Sequence, residues 1–159
     1  MIILGLDPGS ARTGYGIIEK RRGSQLECIA YGCITTPQSK SKSARLLYLE
    51  KELMAVLKRY RPDAAAVESL FFFKNLKTVM PVSEARGVIL LTLERRKIPI
   101  YECSPLQVKM AITGYGRAEK KQVQLMVKKI LSLPEIPKPD DAADGLGMAI
   151  AYSLMHRPA

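Results

Sequence analysis

Three apolar runs joined by turns too short to hold a helix fill the first 36 residues, and no other feature limits the fold as strongly. Ile2 to Asp7 is closed by Pro8-Gly9. The chain resumes after Thr13-Gly14 with Tyr15-Gly16-Ile17-Ile18 and turns through basic residues from Lys20 to Gly23. A third run spans Gln25 to Thr36. Connections this brief join adjacent antiparallel strands.

The period then changes. Leu46, Leu49, Leu53, Val56, Leu57 and Tyr60 recur at helical spacing, and Arg61-Pro62-Asp63 stops that helix. Ala64 to Glu68 suits either helix or strand by itself; its place after a helix and a turn predicts a buried strand. A second helix is predicted from about Lys77 to Lys97, and a strand over Ile98–Cys103. Ser104-Pro105 has the form of an N-cap with proline at the first helical position. After the Gly114-Tyr115-Gly116-Arg117 break comes an amphipathic helix carrying Val123, Met126, Val127 and Ile130. Pro134, Pro137 and Pro139 mark a rigid connection, and a last helix runs from near Asp140 to Leu154. Abbreviated, the order is βββαβαβα with an extra helix before the last. It predicts an α/β fold built on a five-stranded mixed sheet, the first three strands antiparallel, with helices on both faces. At 159 residues, with no repeat or linker, the chain reads as one domain over 1–159.

Composition narrows the partners. With 25 Lys+Arg against 15 Asp+Glu the formal charge is +10, an excess that favours a polyanion such as nucleic acid over a merely soluble surface. The three cysteines, Cys28, Cys33 and Cys103, form no CxxC pair, which argues against zinc and against a secreted disulfide framework. The N-terminus has no basic segment before its apolar run, and no run is long enough to span a bilayer. The expected setting is cytoplasmic, without a membrane.

Against this basic background four acids stand out. Asp7 ends a strand, where α/β sheets bind ligands, although Asp before Pro-Gly is also good turn chemistry. Glu68 ends an apolar run and needs either a metal or a basic partner. Asp141 and Asp144, beside Asp140, lie at i and i+3 on one helical face among small residues. Acids in a first turn also complement the helix dipole. Each has a structural explanation alone. Together, acids from three separated segments can surround two divalent cations, and all-oxygen ligation suits Mg²⁺ or Mn²⁺. Two ions about 4 Å apart can activate a water and stabilise the leaving oxygen of a phosphodiester.

Basic residues gather later in the chain. From Arg95 to Lys129 there are nine Lys+Arg against two acids, Glu102 and Glu119, flanking the Gly-Tyr-Gly-Arg loop. All three Phe residues, Phe71, Phe72 and Phe73, follow Glu68 closely. Three consecutive aromatics cannot all face inward on a regular element, and an exposed one beside the acids could wedge into unpaired bases.

These motifs resemble the RuvC Holliday-junction resolvases of the ribonuclease H-like superfamily, over essentially the whole chain. The matching segments are Ile3 to Ser10 with Thr13 to Gly16; Glu68 to Asn75 with Glu84 to Val88; Gln107 to Lys109; Gly114 to Lys120; and Asp141-Ala142-Ala143-Asp144. The resemblance implies metal ligation by Asp7, Glu68, Asp141 and Asp144, with Lys120 assisting catalysis. It implies DNA contact by Phe71, Phe72, Phe73, Lys74, Arg86, Lys109, Arg117, Lys120 and Lys121, with the junction-contacting aromatic falling on Phe71.

 It further implies Mg²⁺, two per site with Mn²⁺ able to substitute, and a homodimer that nicks two strands of like polarity in four-way junction DNA. The products carry a 5′-phosphate and a 3′-hydroxyl. RuvA and RuvB, the branch-migration motor, are the implied partners, and the implied setting is recombination, repair and the SOS response to DNA damage. The helix from about Lys77 to Lys97 is the candidate dimer interface. Asp140 and the extra phenylalanines depart from the common pattern.

Three other readings fit parts of the sequence. A ribonuclease H-like enzyme for RNA or other DNA would share the first motif. A phosphotransferase with the Asp-x-Gly opening would need a second lobe. A DNA-binding module without activity leaves the four acids unexplained.

Overall fold

The computed structural model describes residues 1–69 and 76–156. Its strands are β1 (Ile2–Asp7), β2 (Arg12–Lys20), β3 (Leu26–Thr35), β4 (Ala64–Glu68) and β5 (Ile100–Cys103). Its α-helices are α1 (Lys42–Tyr60), α2 (Leu76–Arg95), α3 (Pro105–Thr113), α4 (Lys120–Ile130) and α5 (Asp140–Met155). The sheet order is β3-β2-β1-β4-β5. β1 pairs antiparallel with β2, and β2 with β3, whereas β1–β4 and β4–β5 are parallel. The mixed sheet with an antiparallel first half is the one the sequence predicts.

Three helices follow β5, one more than the abbreviated order allowed. Ser104 caps α3 through a reciprocal pair of hydrogen bonds with Gln107, and Gly114 ends it at φ 72°. The chain must therefore start again at α4. The strand expected from Ile98 starts at Ile100, because the Ile98 amide is used to close α2, donating to the Leu93 carbonyl at 3.1 Å.

Strand alternation sorts the core into two layers. Leu4, Leu6, Ile17, Ala65 and Val67 pack with Leu49, Leu53 and Leu57 of α1 and Ala85, Ile89 and Leu93 of α2. Ile3, Ile18, Ala64 and Ala66 pack on the opposite face with Ile112, Val127, Leu146 and Ile150 from α3, α4 and α5. Side chains two apart along a strand share a face. Asp7 therefore continues the Ile3–Gly5 row, and Glu68 the Ala64–Ala66 row, both on the α5 side. Leu6 is level with Val67 in the β1–β4 register, so the two acids occupy the next rung on neighbouring strands.

Glycines let α5 lie directly on this face. A Cβ on Gly145 would come within 2.6 Å of the Tyr15 carbonyl carbon, and one on Gly16 within 2.5 Å of the Leu146 Cα. Gly14 pairs with Asp7 across β1–β2, and a Cβ there would overlap the Asp141 backbone carbonyl. The far end of α5 is held by Lys20, whose ammonium donates to the Ser153 carbonyl at 2.5 Å and the His156 carbonyl at 3.2 Å.

Gly14→Ala should therefore cost at least about 3 kcal/mol of stability, since backbone must move to admit the methyl group. Gly147→Ala, whose added carbon would meet nothing closer than 3.4 Å, should stay within about 1 kcal/mol of the parent. Urea unfolding of both variants checks this, and equal losses would show that the helix does not rest on the sheet backbone.

Candidate active site

Asp7, Glu68, Asp141 and Asp144 line one cleft of about 430 Å³, together with Pro105, Val108, Lys109, Lys120, Val123, Gly147 and Met148. Five elements thus meet here: the ends of β1 and β4, the first turns of α5, and the facing sides of α3 and α4. Strand parity aims the first two acids at α5, and the glycine contact at Gly14 sets Asp141 above them.

The acids strain against one another. Burial pushes the Asp7 carboxyl up to about 8, and its neighbours Glu68, Asp144 and Asp141 add to the rise. A hydrogen bond joins the Asp7 and Glu68 side chains. Burial is also the largest influence on Asp144 and raises its pKa, against the opposing pull of Lys120.

Cations answer part of this charge. Lys120 donates to Asp144 Oδ2 at 3.1 Å and lies 3.6 Å from Asp140 Oδ2. Burial works against the Lys120 ammonium, but its contacts with Asp144 and Asp140 prevail and its pKa is raised. Arg12 Nε lies 3.4 Å from Asp141 Oδ2. Asp140 turns away from the cleft: its side chain is 65% exposed and accepts from Gln124 Nε2 at 3.1 Å. Among the described residues no three acid, histidine or cysteine side chains already converge as a metal shell. The four acids expected to hold cations thus share a cleft without a finished ligand geometry. Two of the acids are turned toward Arg12 and Lys120, and the other two toward each other.

The remaining sequence candidates separate. Lys109 lines the cleft half-buried, while Arg117 and Lys121 are exposed on the loop before α4 and on its first turn. Arg86, expected as a DNA contact, is engaged within the fold. Its side chain is only 17% exposed; Nε donates to the Glu68 carbonyl at 3.1 Å, and an Nη pairs with Glu102. That guanidinium fixes the end of β4 from α2, and so positions Glu68. Phe71, Phe72, Phe73 and Lys74 lie outside the described residues.

Two residues escaped the sequence reading. Arg12 does so because β2 was expected to begin at Tyr15; it begins at Arg12, whose side chain reaches Asp141. Arg45 donates to the Ser10 carbonyl at 2.8 Å and to Thr36 Oγ1 at 3.1 Å, bracing the loop that leads from Asp7 to Arg12. No local signal marks it, since its partners are 35 and 9 residues away.

The sequence model of the family described as "Crossover junction endodeoxyribonuclease RuvC" matches residues 3–152. The chain belongs to the RuvC family. Its relative from Caldicellulosiruptor saccharolyticus is 55% identical over 97% of this chain and 93% of its own. The RuvC of Desulforamulus reducens is 54% identical over 96% and 93%. Thermus thermophilus RuvC, solved in complex with a Holliday junction substrate, superposes with a TM-score of 0.91 at 32% identity, covering 98% of this chain and 94% of that one. The sheet is therefore the ribonuclease H-like sheet of RuvC.

A carboxyl held near 8 has a clear signature when no metal is added. Its folded-state pKa lies above its unfolded value of 3.8, so the folded protein holds the extra proton between the two. Stability from this site is present below about pH 4 and is lost as pH rises toward 8. Asp7→Asn should therefore be more stable than the parent in metal chelator, by a margin that widens from pH 4 to 8 and then levels. A margin independent of pH in thermal melts would refute the clustering of charge.

Proposed function

We propose that this RuvC-family chain is a divalent-metal-dependent endonuclease that resolves four-way Holliday junctions by paired symmetric nicks, leaving 5′-phosphate and 3′-hydroxyl ends. The observation that carries the reading is the single cleft in which Asp7, Glu68, Asp141 and Asp144 face Lys109 and Lys120. Four clustered acids repel a phosphodiester unless cations intervene, and the raised pKa of Asp7 reports that unmet need. The donors are all carboxylate oxygens, which fits Mg²⁺ or Mn²⁺. Asp7, Glu68, Asp141 and Asp144 would hold the metal, two ions per site. When bound, such ions generate an attacking hydroxide from water and stabilise the departing 3′ oxygen.

The chain's own side chains do the rest. Lys120 supplies positive charge beside the phosphate once its acid partners are engaged elsewhere. Lys109 lines the approach, and Arg117, Lys121 and the segment containing Phe71, Phe72, Phe73 and Lys74 are the proposed DNA contacts. Arg86 acts at one remove by fixing the Glu68 strand end.

Paired cuts require two sites, so the working form is a homodimer. α2 is the proposed interface. Met80 and Leu91 are 64% and 52% exposed there and lie eleven residues apart, which is about three turns along one face. A Cβ on Gly87 of the same helix would meet nothing within 4 Å, leaving room for close approach. RuvA and RuvB are the proposed partners on the junction, in a cytoplasmic setting. No helix among the described residues is long and apolar enough to cross a membrane.

Cleavage of four-way, three-way, duplex and DNA–RNA hybrid substrates, with mapped ends, tests the reading. The four-way junction should be cut in Mg²⁺ or Mn²⁺ and spared in chelator. Asp7→Asn should lose at least about a thousandfold in rate while still binding the junction. Equal cutting of plain duplex, or an active Asp7→Asn, would overturn the proposal.

A further inference from the structure

At the opposite end of the sheet from the carboxylates lies a cleft of about 530 Å³, lined by Leu57, Lys58, Arg61, Pro62, Arg96 and Ile98. It sits where α1 and α2 end and where the chain enters β4 and β5. β4 runs five residues from there to Glu68, about 13 Å of strand. The two clefts therefore open at opposite poles.

We propose that this cleft is a docking site for an acidic, apolar-containing peptide segment of a protein partner. Its rim is cationic. Lys58, Arg61 and Arg96 line it and are exposed, with exposed Lys97 between the lining residues Arg96 and Ile98 in the chain; none of the four makes an ion pair among the described residues, whereas Arg95 pairs with Glu50 at 2.9 Å. Its floor is apolar, from Leu57, Pro62 and the half-buried Ile98.

Helix ends attract cations in general, because the last carbonyls carry partial negative charge. That accounts for Lys58 and Arg95, which sit in the last turns. It does not account for Arg61 and Lys97. Each follows the end of a helix in the left-handed conformation, at φ 47° and 55°. Glycine is the favoured residue at such positions, because a Cβ is strained there. Both helices bordering the cleft thus keep a strained cation in place of glycine.

The lining chooses between polyanions. A sugar-phosphate backbone offers only small deoxyribose carbons, and no branched or aromatic side chain, to place against Leu57, Pro62 and Ile98. No aromatic ring lines the cleft on which a base could stack. Carboxylates on an acidic peptide complement the rim, and a Leu or Phe side chain between them fits the floor. The carboxylate cleft lies at the other pole of the sheet. The inference stands independently of what the carboxylate cleft cleaves.

The test uses the full-length protein and a fluorescein-labelled ten-residue peptide of Asp and Glu with a central Leu-Phe pair, followed by anisotropy. Saturable binding is expected, weakened at least about tenfold when Leu-Phe becomes Ser-Ser and about tenfold by 0.5 M salt. Arg61→Gly with Lys97→Gly should relieve the strained backbone and raise the melting temperature, yet weaken peptide binding at least about tenfold. Metal-dependent nuclease activity of that variant should stay within about twofold of the parent. Absence of saturable peptide binding, an unchanged affinity in the glycine variant, or displacement of the peptide by a 20-base-pair duplex in parent and variant alike would overturn the proposal. Should the double variant not fold, Lys58→Gln with Arg96→Gln replaces it under the same criteria.

Discussion

Contact between the backbone of α5 and the backbone of β1 and β2 is the constraint on which the rest depends. Ordinary helix-on-sheet packing keeps the layers about 10 Å apart through intervening side chains. Here Gly5, Gly14 and Gly16 on the strands and Gly145 on the helix remove that spacer. The closer approach costs helix propensity at Gly145, but it carries Asp141 and Asp144 down to the level of Asp7 and Glu68. A site that unites residues 7 and 144 is thus fixed by the absence of side chains between them.

Electrostatics then sets the character of the cleft. In a chain of formal charge +10, four acids share one partly dry space. Repulsion is relieved in three ways: a hydrogen bond between the Asp7 and Glu68 side chains, Arg12 against Asp141, and Lys120 against Asp144. Each relief involves a group that a divalent cation can displace, because a metal offers stronger compensation to several carboxylates at once. Lys120 would then be free to face a phosphate. On the proposed reading, Lys120 and Arg12 would hold the acids until divalent ions replace them.

Much of this was legible in the sequence, for identifiable reasons. Short turns announced the meander, and a change of period announced the helices. Asp7 and Glu68 stood at strand ends, and Asp141 and Asp144 at helical spacing among small residues. What stayed hidden depends on separation along the chain. Arg86 was named as a DNA contact, and nothing local shows that its partners within the fold are the Glu68 carbonyl and Glu102. Arg12 looked like loop because its strand continues past two glycines. The end of α2 was placed two residues late, since Arg96 and Lys97 continue its composition while their backbone already turns out of the helix. The arrangement of the acids, sharing a cleft without converging, follows from their counter-ions and has no sequence signature.

Anomalous diffraction from crystals soaked in Mn²⁺ tests the central claim most directly. The account places manganese peaks within about 2.0–2.3 Å of carboxylate oxygens from residues 7, 68 and the first turns of α5. Lys120 and Arg12 should be drawn off their acid partners in the same maps. A cleft that takes up no manganese while both cations keep their ion pairs would contradict it.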